Sequence, residues 1–216
     1  MIDNYRIGQR GNTLSPGLCE RLQGVETATI GHFECLGFVG WDVRPVFSAK
    51  AIGSAVTVAA PGRDGAIVYK AIDLLAPGDV LVIARVDQDA IACVGGGVAT
   101  AAKARGAAAI VLDGPCTDMQ EIRSIGLPIW CRGVSSRTTS RAHRIGGSIN
   151  QPIACGGTAV LPGYAVLADD EGVFVADQTS MMDIAQAALE RQDRSRKLRS
   201  HLEAGISIFQ LDEITP

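Results

Sequence analysis

A chain of 216 residues, 47% hydrophobic and 20% charged, is long enough to bury one sizeable core and too apolar to remain disordered. Aromatic residues make up only 5%, so the core is expected to consist of Ala, Val, Ile and Leu. A formal net charge of −3 supplies no positive field for nucleic acid or an anionic membrane, and neither is an expected partner.

No run of about 18 apolar residues is present, and the start, MIDNYRIGQRGN, lacks the basic segment and apolar run of a secretory leader. The expectation is a single domain over residues 1–216, located in the cytoplasm. Six cysteines (Cys19, Cys35, Cys93, Cys116, Cys131 and Cys155) are scattered without a CxxC pair or a histidine at zinc-ligand spacing, so they read as mostly buried thiols.

In chain order, Ser15-Pro16 is an N-cap followed by proline at the first helical position. Leu18, Leu22 and Val25 place a first helix within residues 14–37. Residues 49–60 are small and β-branched and read as a buried strand ending at Pro61-Gly62. Helical spacing over Ala66–Leu75 is followed by the turn Pro77-Gly78-Asp79 and a strand at Val80–Ala84. The alternation continues with a helix over Val98–Arg105, a strand at Ala107–Leu112, a helix over Asp118–Ile125 and a short strand at Leu127–Cys131. Helices alternating with wholly apolar strands predict an α/β layered domain. From residue 150 onward, four short strands (151–154, 157–161, 165–169 and 172–176) look like an antiparallel meander, making the central sheet mixed. A long helix over about 180–204 ends at Gly205, and its charge-dense second half reads as a solvated face.

Two adjacent features carry the candidate chemistry. Gly95-Gly96-Gly97 precedes the Val98 helix, where the first N–H groups lack intrahelical partners and the dipole is positive, a setting suited to carboxylate or phosphate. Nearby, the strand 107–112 runs into Asp113-Gly114-Pro115-Cys116-Thr117-Asp118, placing two carboxylates at the end of a buried strand, where Mg²⁺ or Mn²⁺ could be held. The structural alternative is that Asp118 caps helix 118–125 and Asp113 stabilises its turn.

The ordered motifs Ala55–Val58, Pro77–Val82, Gly95–Thr100, Ala104-Arg105-Gly106, Asp113-Gly114 with Asp118, Gly126-Leu127-Pro128, Arg132-Gly133, Gly156-Gly157, Pro162-Gly163 and Asp169–Val173 together resemble the RraA-like family over roughly residues 14–177. That family contains the 4-hydroxy-4-methyl-2-oxoglutarate/4-carboxy-4-hydroxy-2-oxoadipate aldolases and the RNase E inhibitor RraA. The resemblance implies a compact layered α/β domain with a mixed central sheet, of the swivelling-domain type. It further implies a homotrimer or homohexamer with sites between subunits. A divalent metal, Mg²⁺ or Mn²⁺, would be held by Asp118, and a small 2-oxo acid would be cleaved through a pyruvate enolate. The implied carboxylate-binding residues are Gly95, Gly96, Gly97 and Val98, with Thr117 lining the pocket beside Asp118.

Active members of the family carry an acidic residue and an arginine where this chain has Gly96 and Thr117, and often an aspartate where it has Tyr164. Glu190 or Asp193 from a neighbouring subunit could supply a carboxylate, and Arg63 a cation. His32, His143 and His201 have no spaced partner, and Cys116 has no identifiable base. Three functions therefore stay open: a metal-dependent lyase, a metal enzyme with a changed substrate, and a non-catalytic regulatory protein of the RraA type.

Overall fold

The computed structural model describes residues 4–87, 90–141 and 145–210. It contains, in chain order, β1 (Tyr5–Ile7), α1 (Pro16–Gln23), α2 (Thr27–Ile30), β2 (Arg44–Pro45), β3 (Ala51–Ala60), α3 (Ala66–Asp73), β4 (Asp79–Arg85), α4 (Gly96–Ala104) and β5 (Ala109–Asp113). These are followed by α5 (Met119–Ile125), β6 (Ile129–Cys131), β7 (Gly147–Ile149), β8 (Ile153–Cys155), β9 (Thr158–Val160), β10 (Ala165–Ala168), β11 (Val173–Ala176) and α6 (Gln178–Glu203).

The repeated strand-helix alternation produces a parallel centre, β3-β4-β5-β6, flanked by β7 and β1 on one side and by β2 on the other. The sheet is mixed, because β7 and β10 both run antiparallel to β3. The ten-residue length of β3 makes this possible: Ala51–Ser54 pair with β10, and Val58 and Ala59 pair with β7.

Alternation along β4 divides the core. Leu81 and Ile83 join Val56, Val58, Ile110 and Leu112 under α3, α4 and α5. The intervening Val80, Val82 and Ala84 face the other way, against Trp130, Ile153, Cys155 and Val160. Both faces of the parallel strands are therefore covered, which accounts for their continuous apolar sequence. A third cluster joins Leu18, Leu22, Leu167, Phe174, Met181 and Ala185, seating α1 and α6 on the β10–β11 hairpin.

Several boundaries differ from the sequence expectation for identifiable reasons. The first helical region is two helices, α1 and α2, separated at Gly24–Glu26. There Lys50 Nζ donates to the carbonyls of Gln23 (2.7 Å) and Val25 (2.5 Å), and the Thr27 N–H turns to Asp169 at 2.7 Å. Helix α4 begins at Gly96 rather than Val98, so two glycines lie inside its first turn. The expected four-stranded meander is two hairpins in different sheets: β8–β9 forms its own sheet, while β10–β11 joins the main one through β3. Strands β1, β2 and β7 are too short and insufficiently apolar to announce themselves in sequence.

One buried ion pair ties the N-terminal segment to the sheet. Arg10 donates twice to the Asp79 carboxylate, at 2.5 and 2.7 Å, and Ala76 N adds a third hydrogen bond at 2.7 Å. The Asp79 side chain is wholly buried, while Arg10 is 31% exposed. Removing the guanidinium leaves a buried carboxylate with one backbone donor. Arg10→Ala is accordingly expected to lower unfolding free energy by about 3 kcal/mol in urea denaturation, whereas Asp79→Asn with Arg10 intact should cost less, because Arg10 can turn to solvent.

Candidate functional site

The site lies beyond the C-terminal ends of the parallel strands, where an open α/β sheet leaves a crevice. Beyond the ends of β4 and β5, isolated bridges pair Val94 with Cys116, Cys116 with Val134, and Ala92 with Thr138. The Thr117 N–H donates to the Val94 carbonyl at 2.9 Å. These pairings hold the start of α4 directly beside Thr117 and Asp118.

Asp118 does not perform the capping role available from sequence. It stands at the N-cap of α5 with φ 55° and ψ 42°, in the left-handed region, and makes no side-chain cap bond to that helix. Its Oδ2 instead accepts from Gly96 N at 3.0 Å, so this carboxylate caps α4, the neighbouring helix. Thr117 Oγ1 donates weakly to Oδ1 at 3.4 Å. A left-handed aspartate costs on the order of 1 kcal/mol, and such strain is often found at functional positions.

The glycines explain how the two segments come so close. A Cβ at position 95 would lie 2.5 Å from Asp118 Oδ2 and 2.8 Å from Thr117 Cγ2. At position 96 it would lie 2.0 Å from the carboxyl carbon of Glu121. The absence of an acidic side chain at residue 96 is therefore coupled to the presence of another carboxylate in that space. Gly97 meets nothing within 4 Å and borders the cavity. In the first turn of α4 the N–H groups of Gly97 and Val98 have no intrahelical partner.

A cavity of about 660 Å³ opens beside this turn, bordered by Gly95, Gly97, Val98, Thr117 and Asp118. Its other wall is formed by Tyr69 and Ala101 and by the loop residues Thr138, Thr139 and Arg141. Asp118 and Arg141 are the charged residues among its described lining. Of the residues singled out from sequence, Gly95, Gly97, Val98, Thr117 and Asp118 thus meet at one place, with Gly96 buried just behind them under Glu121.

Other candidates are placed elsewhere. Asp113 accepts from Gly156 N at 2.6 Å and pairs with Arg132, so it fastens the β8–β9 turn. Arg63 is exposed, and its carbonyl accepts from Ser140 N at 2.7 Å; the Arg63 side chain does not border the cavity. Tyr164 packs in the cluster beneath β8 and β9. On α6, Glu190 accepts from Gln186 and Asp193 pairs with Lys197, both at 2.7 Å. His32 is exposed, His201 lies on α6, and His143 is outside the described residues.

The cysteines are all free thiols. Cys116 and Cys131 are buried with their sulfurs 3.5 Å apart. Hydrogen bonding to Cys131 and burial hold the Cys116 thiol well above its usual range. A buried thiol held protonated in this way is the opposite of what a nucleophile requires.

Glu121, Tyr69 and Arg141 escaped the sequence reading. Glu121 is three residues after Asp118, a spacing that resembles a capping box for α5, and nothing in that pattern indicates that both side chains turn toward α4. Arg141 lies 23 residues beyond Asp118 in a stretch without helical or strand periodicity, and only the loop's path brings it to the cavity.

Among the described residues no group of three or more His, Cys, Asp or Glu converges as a protein cage. The carboxylates at the start of α4 are those of Asp118, which accepts from Gly96 N, and Glu121, folded over the same helical turn; Mg²⁺ usually keeps several waters and takes one or two carboxylates.

A Halalkalibacterium halodurans protein provisionally named 4-hydroxy-4-methyl-2-oxoglutarate aldolase is 34% identical over 144 residues, covering 66% of this chain and 67% of that protein. The 4-hydroxy-4-methyl-2-oxoglutarate aldolase of Thermus thermophilus is 30% identical over 113 residues, covering 52% and 68%. Among solved structures, Streptomyces coelicolor RraAS2, described as an unusual member of the RNase ES inhibitor RraA family, has a TM-score of 0.73 and 26% identity over 89% of this chain and 98% of that one. The family model for RraA-like proteins (Aldolase/RraA) matches residues 29–175. This match spans more than half of the sequence, and the chain belongs to the RraA-like family.

Proposed function

We propose that this chain is a divalent-metal-dependent carbon–carbon lyase, an aldolase or decarboxylase acting on a small 2-oxo acid. The observation that carries this reading is the Asp118 carboxylate fixed at the start of α4 on the rim of the cavity, beside the N–H groups of Gly97 and Val98. Similarity to the 4-hydroxy-4-methyl-2-oxoglutarate aldolases supports it.

In this reading Asp118 holds Mg²⁺ or Mn²⁺ and Glu121 faces the cation's water shell. A bound cation would act as a Lewis acid on the 2-oxo group and stabilise the charge that develops as the carbon–carbon bond breaks. The chain's own residues orient the substrate. Gly97 and Val98 N–H groups receive its carboxylate at the positive end of α4, and the Thr117 hydroxyl offers one further donor. The apolar faces of Val98 and Ala101 limit access of water to the reacting carbon. The working form in this reading is a homotrimer or homohexamer, which is consistent with the exposure of Leu36 (82%) and Trp41 (81%) on the single chain.

A second reading, a non-catalytic regulatory protein, is favoured by Gly96 and Thr117, which replace the acid and arginine of active members, and by the similarity to RraAS2.

Oxaloacetate decarboxylation and 4-hydroxy-2-oxo acid cleavage, assayed with Mg²⁺ and then with excess chelator, separate the two. The lyase reading predicts turnover that chelator abolishes and that Asp118→Asn lowers at least about 100-fold, comparable to removing about 2.7 kcal/mol of transition-state stabilisation. No turnover of any 2-oxo acid in the wild type would move the assignment to the regulatory reading. The same variant tests the structural role separately. Asn keeps an acceptor for Gly96 N and tolerates the left-handed backbone, so Asp118→Asn should unfold within about 0.5 kcal/mol of wild type in urea. Asp118→Ala loses both and should fall by about 2 kcal/mol.

A further inference from the structure

Three sulfur atoms meet beside the turn that carries Asp118. The Cys116 sulfur lies 3.5 Å from the Cys131 sulfur and 3.5 Å from the Met119 thioether. The three come from different pieces of the chain: Cys116 from the turn after β5, Met119 from the first residue of α5, and Cys131 from the last residue of β6. Both cysteine backbones are held in place. Cys116 N donates to Gly133 O and Ser135 N to Cys116 O, each at 2.9 Å, and Cys131 stands in register with Leu112 of β5. The sheet and its continuation thus position the thiols before any ligand arrives.

Sulfur in an apolar core is ordinary packing, and what distinguishes this trio is spacing and access. A metal–sulfur bond of about 2.3 Å, the zinc–thiolate length, sets two sulfurs of a trigonal group about 4 Å apart. A disulfide needs about 2.0 Å. The 3.5 Å separation is within about 0.5 Å of the metal geometry, whereas a disulfide would require the sulfurs to close by about 1.5 Å. Cys116 and Cys131 are buried, while Met119 is half-buried and gives a small cation its path from solvent. Thiolates and a thioether are soft ligands, which select Cu(I) and are poor partners for Mg²⁺. Structural zinc takes four ligands, and three sulfurs fall one short of that number but suit Cu(I).

We propose that Cys116, Met119 and Cys131 form a binding site for one Cu(I) ion per chain, separate from the Asp118 corner and independent of the functional reading above. On binding, the two thiol protons pass to solvent, each sulfur donates one electron pair, and the copper stays Cu(I), so no oxidant or reductant is consumed. A protonated thiol is a poor nucleophile yet still a metal ligand, because the cation displaces its proton. Thr117 and Asp118 are the two residues between the ligands Cys116 and Met119, so occupancy fixes the turn that carries the Asp118 carboxylate.

The test adds Cu(I) anaerobically to the full chain, in competition with the chromogenic chelator bathocuproine disulfonate and with Mg²⁺ in excess. Wild type should retain one Cu(I) per chain, Mg²⁺ should displace none of it, and X-ray absorption should show three sulfur neighbours at about 2.3 Å. Met119→Leu keeps the side-chain volume, and so the fold, and should weaken binding about tenfold. Cys131→Ala should weaken it at least about 100-fold, whereas Cys35→Ala, at an exposed thiol, should leave it unchanged. Should Cys131→Ala fail to fold, Met119→Leu and the absorption spectrum of wild type decide the matter by themselves. No Cu(I) retained by wild type, nitrogen or oxygen in the copper shell, unchanged affinity in Met119→Leu, or an equal loss in Cys35→Ala overturns the proposal.

Discussion

The hydrogen bond from Gly96 N to Asp118 Oδ2 joins the two halves of the candidate site. It links the helix after β4 to the turn after β5, two segments that the parallel sheet leaves adjacent but does not itself connect. The bond requires backbone and carboxylate to approach without an intervening Cβ, a condition that glycine at 95 and 96 satisfies. It also orients the carboxylate: with one oxygen directed to the helix, the other is left toward Thr117 and the cavity. The left-handed backbone at Asp118 is the local cost of this geometry.

The rest of the structure supports that contact from below. Leu81, Ile83, Ile110 and Leu112 fix β4 and β5 under the helices, and Cys116 and Val94 continue their pairing past the end of the regular sheet. The strap over residues 134–140 then crosses Cys116, Ala92 and Asp64 in turn, closing the top of the sheet and forming the second wall of the cavity. The candidate site is thus bordered by a helix start on one side and a loop on the other.

Much of the architecture was legible because periodicity reports burial. The apolar runs within β3, β4 and β5 required cover on both faces, and α3 and α4 showed their helical spacing plainly. The proximity of Gly95–Val98 to Asp118 also followed from strand order. What the sequence concealed was partnership. Asp118 followed by Glu121 has the spacing of a cap for its own helix, and only the tertiary approach of α4 redirects both carboxylates. Arg63 follows a strand end and so drew attention as a cation, yet its neighbour in space, Ser140, leads to the arginine that borders the cavity. The two C-terminal hairpins looked like one meander because short strands carry no information about which sheet they join.

The central claim is that the Asp118 corner of α4 is a metal-dependent oxo-acid site. Electron paramagnetic resonance of Mn²⁺ added to the wild-type protein, with and without oxalate as a mimic of an enolised 2-oxo acid, tests it most directly. The account predicts about one bound Mn²⁺ per chain, with a spectrum that changes and an affinity that tightens when oxalate is present. Free-ion signal throughout the titration, in the presence of oxalate as well as in its absence, would contradict it.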